Sequence, residues 1–160
     1  MATENKNLSH YDKEEIPDGS NFTIGLVVSE WNHEITENLF KGAFDALLDC
    51  GVKKENILRW NVPGSFELPF GCKKMIASKN VDAVLAIGSV IRGETSHFDY
   101  VCSATAQGIM DLNVQTEVPV IFCVLTDNTL QQSKDRSGGK HGNKGTEAAI
   151  AAIKMADLGN

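Results

Sequence analysis

Val81-Asp82-Ala83-Val84-Leu85-Ala86-Ile87-Gly88-Ser89-Val90-Ile91-Arg92-Gly93-Glu94-Thr95-Ser96-His97-Phe98-Asp99-Tyr100 decides how this chain is read. Val81 to Gly88 is an almost unbroken apolar run, with the length of a strand buried on both faces. Beyond it come an arginine, hydroxyl residues and a further glycine, and from about His97 to Val114 the pattern is helical. Strand, polar turn and helix in succession make the unit of a parallel sheet, which binds ligands outside the carboxyl ends of its strands. Backbone N–H groups and a helix N-terminus at such a turn also favour an anion.

Working outward, the same alternation recurs. Phe22 to Val28 reads as a strand and Glu34 to Cys50 as a helix, with Ile35, Leu39, Ala43 and Ala46 on one stripe. Ile57 to Val62 is a second strand, broken by Pro63-Gly64, and Ser65 to Ser78 reads as a loop and helix. Val118 to Leu125 is a further apolar run. Thr129 to Ser137 and Thr146 to Leu158 are helical patterns on either side of a glycine-rich connection, Gly138 to Gly145. The expected architecture is a three-layer α/β/α sandwich, a four-stranded parallel sheet flanked by helices. Residues 22–158 form one domain in this reading, and the polar segment 1–21 is a flexible N-terminal arm.

Length and charge narrow the function. A chain of 160 residues holds one sizeable core, and two domains would be cramped. A net charge of −6 argues against a general nucleic-acid binder. The basic concentration from Lys134 to Lys144 lies among glycines, where a local anion site explains it better than a polyelectrolyte groove. Cys50, Cys72, Cys102 and Cys123 form no C-x-x-C pair and suit buried thiols in a reducing compartment. No charged-then-apolar signal opens the sequence and no run reaches membrane-spanning length, so the expected location is cytoplasmic.

The strand ends carry the chemistry. After the first strand, Trp31 is either a stray apolar cover or a flat ring for stacking a heterocycle, with Asn32 beside it to hydrogen-bond. After the second, Ser65 most simply caps a helix; the alternative adds Phe66, backbone N–H groups and the Glu67 carboxylate, suited to a polyol or amide. Thr126-Asp127-Asn128 reads as the cap of the next helix. A histidine near a helix start, such as His97, is commonly structural, yet an imidazole's ordinary pKa of about 6.5 suits proton transfer near neutrality. Arg136, Lys134, Lys140 and Lys144 form either a solvated basic loop or an anion cradle. His10, His33, His97 and His141 show no metal-ligand spacing. G-x-x-x-x-G-K-[ST] is absent, and Ser29-Glu30-Trp31 stands where G-x-G-x-x-G would follow the first strand.

Five segments together resemble the lumazine synthase family: Trp31-Asn32, Val62 to Pro69, Gly88 to Tyr100, Val118 to Phe122, and Arg136 to Gly145. The resemblance covers about Phe22 to Leu158, and five matches in order and spacing are highly specific. It implies a flavodoxin-like fold and a condensation without metal or redox cofactor. In that reaction 5-amino-6-(D-ribitylamino)uracil and 3,4-dihydroxy-2-butanone 4-phosphate give 6,7-dimethyl-8-ribityllumazine, phosphate and water, a step of riboflavin biosynthesis. Carried over by position, Trp31 would stack on the pyrimidine beside Asn32, and Ser65, Phe66 and Glu67 would line the ribityl chain. Ser89, Val90 and Ile91 would hold the uracil edge, while Glu94, Thr95 and Arg136 would receive the phosphate. His97 would transfer protons. Phe122, Arg136 and Lys144 would come from a neighbouring subunit, because sites in the family lie between copies.

The resemblance also implies a homo-oligomer, leaving open a pentamer or a 60-subunit shell, and riboflavin synthase as an associated protein. It implies no nucleic-acid or membrane partner. The chain departs from the family pattern in having Trp31 where phenylalanine is frequent and Asp135 where glutamate is frequent. Glu94 is unexpected beside a phosphate, unless its backbone alone faces the ligand. The competing readings are a flavin-binding protein, prompted by Trp31, and a shell-forming protein, prompted by the short Gly138 to Gly145 connection.

Overall fold

The computed structural model describes residues 7–159. Its main sheet contains β1 (Ile24–Ser29), β2 (Ile57–Val62), β3 (Ala83–Ile91) and β4 (Val120–Asp127), ordered β2-β1-β3-β4. Every pairing in it is parallel. The apolar runs follow from this order: β1 and β3 are interior strands, and β1 is buried along its whole length. Helices cover both faces, giving the α/β sandwich of flavodoxin-like type. α1 (His33–Asp49) and α5 (Lys144–Ala156) lie over one face, burying Leu39, Leu47, Ala149 and Ile153 against Leu26, Leu85 and Ile87. α2 (Leu68–Ser78) and α3 (His97–Gln115) cover the other, where Leu68, Met75 and Ile109 meet Val27, Val84 and Ala86.

Strand boundaries shift from the sequence reading for reasons in the ladder. β3 runs past Gly88 because β4 extends far enough to pair with it, Ser89 opposite Leu125 and Ile91 opposite Asp127. Residues expected in a turn are therefore held in the sheet. β4 begins at Val120 because Pro119 has no N–H to donate. The Asn113 side chain closes this entry, accepting from the Val120 N–H and donating to its carbonyl, both at 2.8 Å.

Two further corrections concern the segment after β4. The cap of α4 (Leu130–Arg136) is Thr129, in a reciprocal box with Gln132, and Asp127 is the last strand residue instead. The glycine-rich connection contains a small antiparallel hairpin, β5 (Ser137–Gly139) and β6 (Gly142–Asn143). Gly142 at its turn has φ +82°, and any Cβ there would lie 2.8 Å from the Ser9 backbone nitrogen.

That proximity reflects the N-terminal segment. Residues 1–6 of the expected arm lie outside the described residues, whereas the stretch from Leu8 onward is laid on the domain. Leu8 N–H donates to the His141 carbonyl at 2.8 Å, and Ser9 Oγ accepts from Asn143 N–H at 2.8 Å. Tyr11 and Lys13 both donate to the Asp49 carboxylate, at 2.8 and 3.0 Å. Burial, helped by that pairing, pushes the Tyr11 phenol up to about 12. Among the described residues no helix is long and apolar enough to cross a membrane. Cys50, Cys72 and Cys123 are buried free thiols and Cys102 is half-buried; burial lifts Cys72 and Cys123 to about 12, so both stay protonated.

Candidate active site

The carboxyl ends of β1, β2 and β3 open into a cleft of about 610 Å³. It is lined by Trp31, Asn32, Ser65, Phe66, Glu67, Ser89, Val90, Ile91, Thr95 and His97, all anticipated from the sequence, so segments far apart in the chain converge on one volume. Gly64, Gly93, Phe98, Tyr100 and Val101 line it too and were not singled out. Tyr100 and Val101 could have been found: three and four residues beyond His97 on one helix, they share its face.

Each wall has a local cause. The backbone beyond β1 stays paired with that beyond β2, Trp31 N–H donating to the Pro63 carbonyl at 3.1 Å, and the indole is left 73% exposed over the cleft. Asn32 then turns through a left-handed conformation, φ 58°, which asparagine tolerates better than most residues. Its side-chain NH₂ donates to the Ser89 carbonyl at 2.9 Å. Asn32 thus ties β1 to β3 through one N–H of its amide at the edge of the cleft.

Ser65, Phe66 and Glu67 form a 3₁₀ turn leading into α2. Ser65 is not the expected cap, since its hydroxyl makes no capping bond and α2 starts with Pro69 in its first turn. Its carbonyl instead accepts from Thr105 Oγ1 at 3.1 Å, holding the turn against α3. The hydroxyls of Ser65 and Ser89 are buried without a hydrogen-bond partner among the described residues, although both line the cleft. A buried polar atom left unpaired is costly, so these positions favour a ligand or water that completes them. Phe66 and Glu67 stand exposed on the rim.

On the opposite rim, the turn after β3 is braced by Arg92. Its backbone N–H donates to the Asp127 carbonyl at 2.9 Å, and its Nε to Asn128 at 3.1 Å. The terminal nitrogens grip Asp99 at 2.8 and 3.3 Å, and the guanidinium lies 4.1 Å over the Phe98 ring. Arg92 holds the Asp99 carboxyl below its ordinary value, and its own pKa is raised in return. With this arginine engaged, Thr95, His97 and Tyr100 are the polar side chains that line the cleft from this rim. His97 occupies the first position of α3, exposed, with no side-chain hydrogen bond or ion pair among the described residues. Glu94 is exposed and does not line the cleft, and neither do Phe122, Arg136 and Lys144. Phe122 is 38% exposed on β4, and Lys144 donates to Glu147 at 2.7 Å. Arg136 ends α4 with its Nε 4.0 Å from Asp127. No group of three or more His, Cys, Asp or Glu among the described residues could hold a metal ion.

The family model for 6,7-dimethyl-8-ribityllumazine synthase matches residues 21–160. The chain belongs to that family. Among its relatives, the 6,7-dimethyl-8-ribityllumazine synthase of Flavobacterium johnsoniae is 70% identical over 98% of this chain and 82% of its own. That of Christiangramia forsetii is 69% identical over 99% and 95%. That of Parabacteroides distasonis is 55% identical over 99% of each chain. Full-length similarity at this level favours the enzyme over a flavin carrier or a shell-only protein. Within the lumazine synthase family the chain is a transferase of riboflavin biosynthesis. One copy brings together Trp31, Asn32, Ser65, Phe66, Glu67, Ser89, Val90 and Ile91 with Thr95 and His97, whereas Phe122 and Lys144, also expected at the pyrimidine, and Arg136 stand elsewhere.

Proposed function

We propose that the cleft binds 5-amino-6-(D-ribitylamino)uracil and condenses it with 3,4-dihydroxy-2-butanone 4-phosphate. The observation that carries this reading is the convergence of Trp31, the Ser65–Glu67 turn, the β3 end and His97 on one volume. Trp31 offers a face for the pyrimidine. Glu67 accepts from ribityl hydroxyls, and the backbone of Ser89, Val90 and Ile91 holds the uracil edge. The Glu94-Thr95 backbone and the Thr95 hydroxyl receive the phosphate, completed by Arg136 of an adjacent copy. Phe122 and Lys144 of that copy close the pyrimidine side.

The substrate amine attacks the ketone, so the protein supplies no nucleophile. The carbinolamine loses water to an imine, phosphate leaves by elimination, and the second amine closes the ring. Each step moves a proton, the work assigned to His97, whose exposed ring has no competing side-chain partner. Residues 22–158 act as one catalytic domain. Because the site draws on two copies, the assembly is a homo-oligomer; we infer a cytoplasmic pentamer, with a 60-subunit shell and riboflavin synthase association as extensions of the same packing.

Mixing purified protein with both substrates and following lumazine fluorescence tests the activity, and a rate no greater than the uncatalysed one would overturn it. His97→Ala should keep substrate affinity and lose turnover. General acid–base contributions are typically about 10²–10⁴-fold, and the spontaneous condensation sets the floor. An unchanged turnover would remove His97 from the mechanism.

A further inference from the structure

At the end of β4, Asp127 is a buried carboxyl group, its side chain 11% exposed, next to an arginine whose side chain is 43% exposed. Ser133 Oγ, fully buried on α4, donates to Asp127 Oδ2 at 2.8 Å and fixes the carboxylate plane. The other oxygen, Oδ1, lies 4.0 Å from Arg136 Nε. The Asp127 carbonyl accepts from Arg92 N–H at 2.9 Å, and Asp127 is paired in register with Ile91. The carboxylate is therefore fixed relative to the strand that lines the cleft.

Geometry gives this carboxylate a task. Arg136 is the last residue of α4, where a cation is drawn back toward the unpaired carbonyls of its own helix. A negative charge on its Nε side opposes that collapse. It also leaves the edge formed by the two terminal nitrogens free, the edge that grips an oxyanion in bidentate fashion. We propose that Asp127 is the positioning residue for Arg136, orienting the guanidinium so that its terminal nitrogens face the substrate phosphate. The inference rests on the reading that Arg136 receives that phosphate.

The assembled enzyme tests it by steady-state kinetics on both substrates with Asp127→Asn, Arg136→Ala and the double variant. Asparagine keeps the size of the side chain and its bond from Ser133. Loss of the charge 4.0 Å from Nε is expected to raise KM for the phosphate substrate about tenfold, with kcat and the pyrimidine KM within about twofold. Added to Arg136→Ala, Asp127→Asn is expected to change nothing further, since its effect passes through the arginine. Ser133→Ala provides a second, smaller perturbation in the same direction. If Arg136→Ala raises the phosphate KM and neither Asp127→Asn nor Ser133→Ala does, the positioning role is wrong while the phosphate assignment stands. If Arg136→Ala leaves that KM unchanged, the phosphate assignment itself fails. Equal rises in both KM values, or an additive double variant, would reduce Asp127 to a brace between β4 and α4 and overturn the proposal.

Discussion

At the end of β4 a carboxyl group sits where ionisation is disfavoured: burial pushes the Asp127 pKa up, and Ser133 and Arg136 pull it only part of the way back. Its folded value thus lies above the unfolded one, about 3.9. The stability tied to this group is full below the unfolded pKa and is lost as pH rises through the folded pKa. Asp127→Asn should therefore melt above the wild type at pH 7, the two converging as pH falls toward about 4. Thermal melts across that range check it, and a variant that melts lower at pH 7 would contradict the sign. A residue that weakens the fold while orienting a ligand group is what a functional position looks like. Residue types at this scale were largely legible: Trp31, Glu67, Thr95 and His97 each stand at a strand end because their chemistry has no use in a core. How they are engaged was not. That Asn32 donates one amide N–H to Ser89, 57 residues away, depends on a contact that no local pattern encodes.

Between elements, the decisive contacts are close backbone approaches. Gly145 opens α5 against α1, and a Cβ there would lie 1.9 Å from the Leu39 carbonyl oxygen and 2.7 Å from its carbon. Neither atom can swing aside as a flexible side chain would. Gly145→Ala must separate α1 from α5, the two helices that bury the larger apolar cluster. Overpacking of this kind costs about 1–3 kcal/mol, and the melting temperature should fall by about 2–4 °C for each kcal/mol in a domain of this size. Calorimetry on the variant is the check, and an unchanged melt would mean that the approach relaxes without cost. The glycine-rich connection showed that the chain must turn here, but not that Leu8 and Ser9 would be laid along it. Strand ends slipped in the same way: β3 is longer than its apolar run because β4 supplies partners as far as Asp127. Apolar periodicity marks which segments are buried, while the neighbouring strand decides where a ladder stops.

For the molecule as a whole, alternating apolar strands and amphipathic helices made the layer order legible before any contact was known, since parallel strands need covering on both faces. What a single copy leaves open is its surface. Trp31, Phe66 and Tyr100 stand exposed at the cleft, and Phe70, Met110 and Val114 are exposed on α2 and α3, Val114 being 79% exposed. Exposed apolar side chains of this size suit a surface that another copy covers. Arg136, proposed to receive the phosphate, stands outside the same copy's cleft, so the proposed site is complete only between copies, and assembly and activity should fail together. Native mass spectrometry should find a multiple of 17.4 kDa, a fivefold one for the pentamer. Val114→Glu, placing a charge in that surface and not in the cleft, should shift the population toward smaller species. Turnover should fall in proportion to the assembled fraction and recover as protein concentration is raised, because mass action refills the interface. A wild-type chain that runs at 17.4 kDa and still turns over both substrates would place the whole site within one copy and remove Arg136 from it.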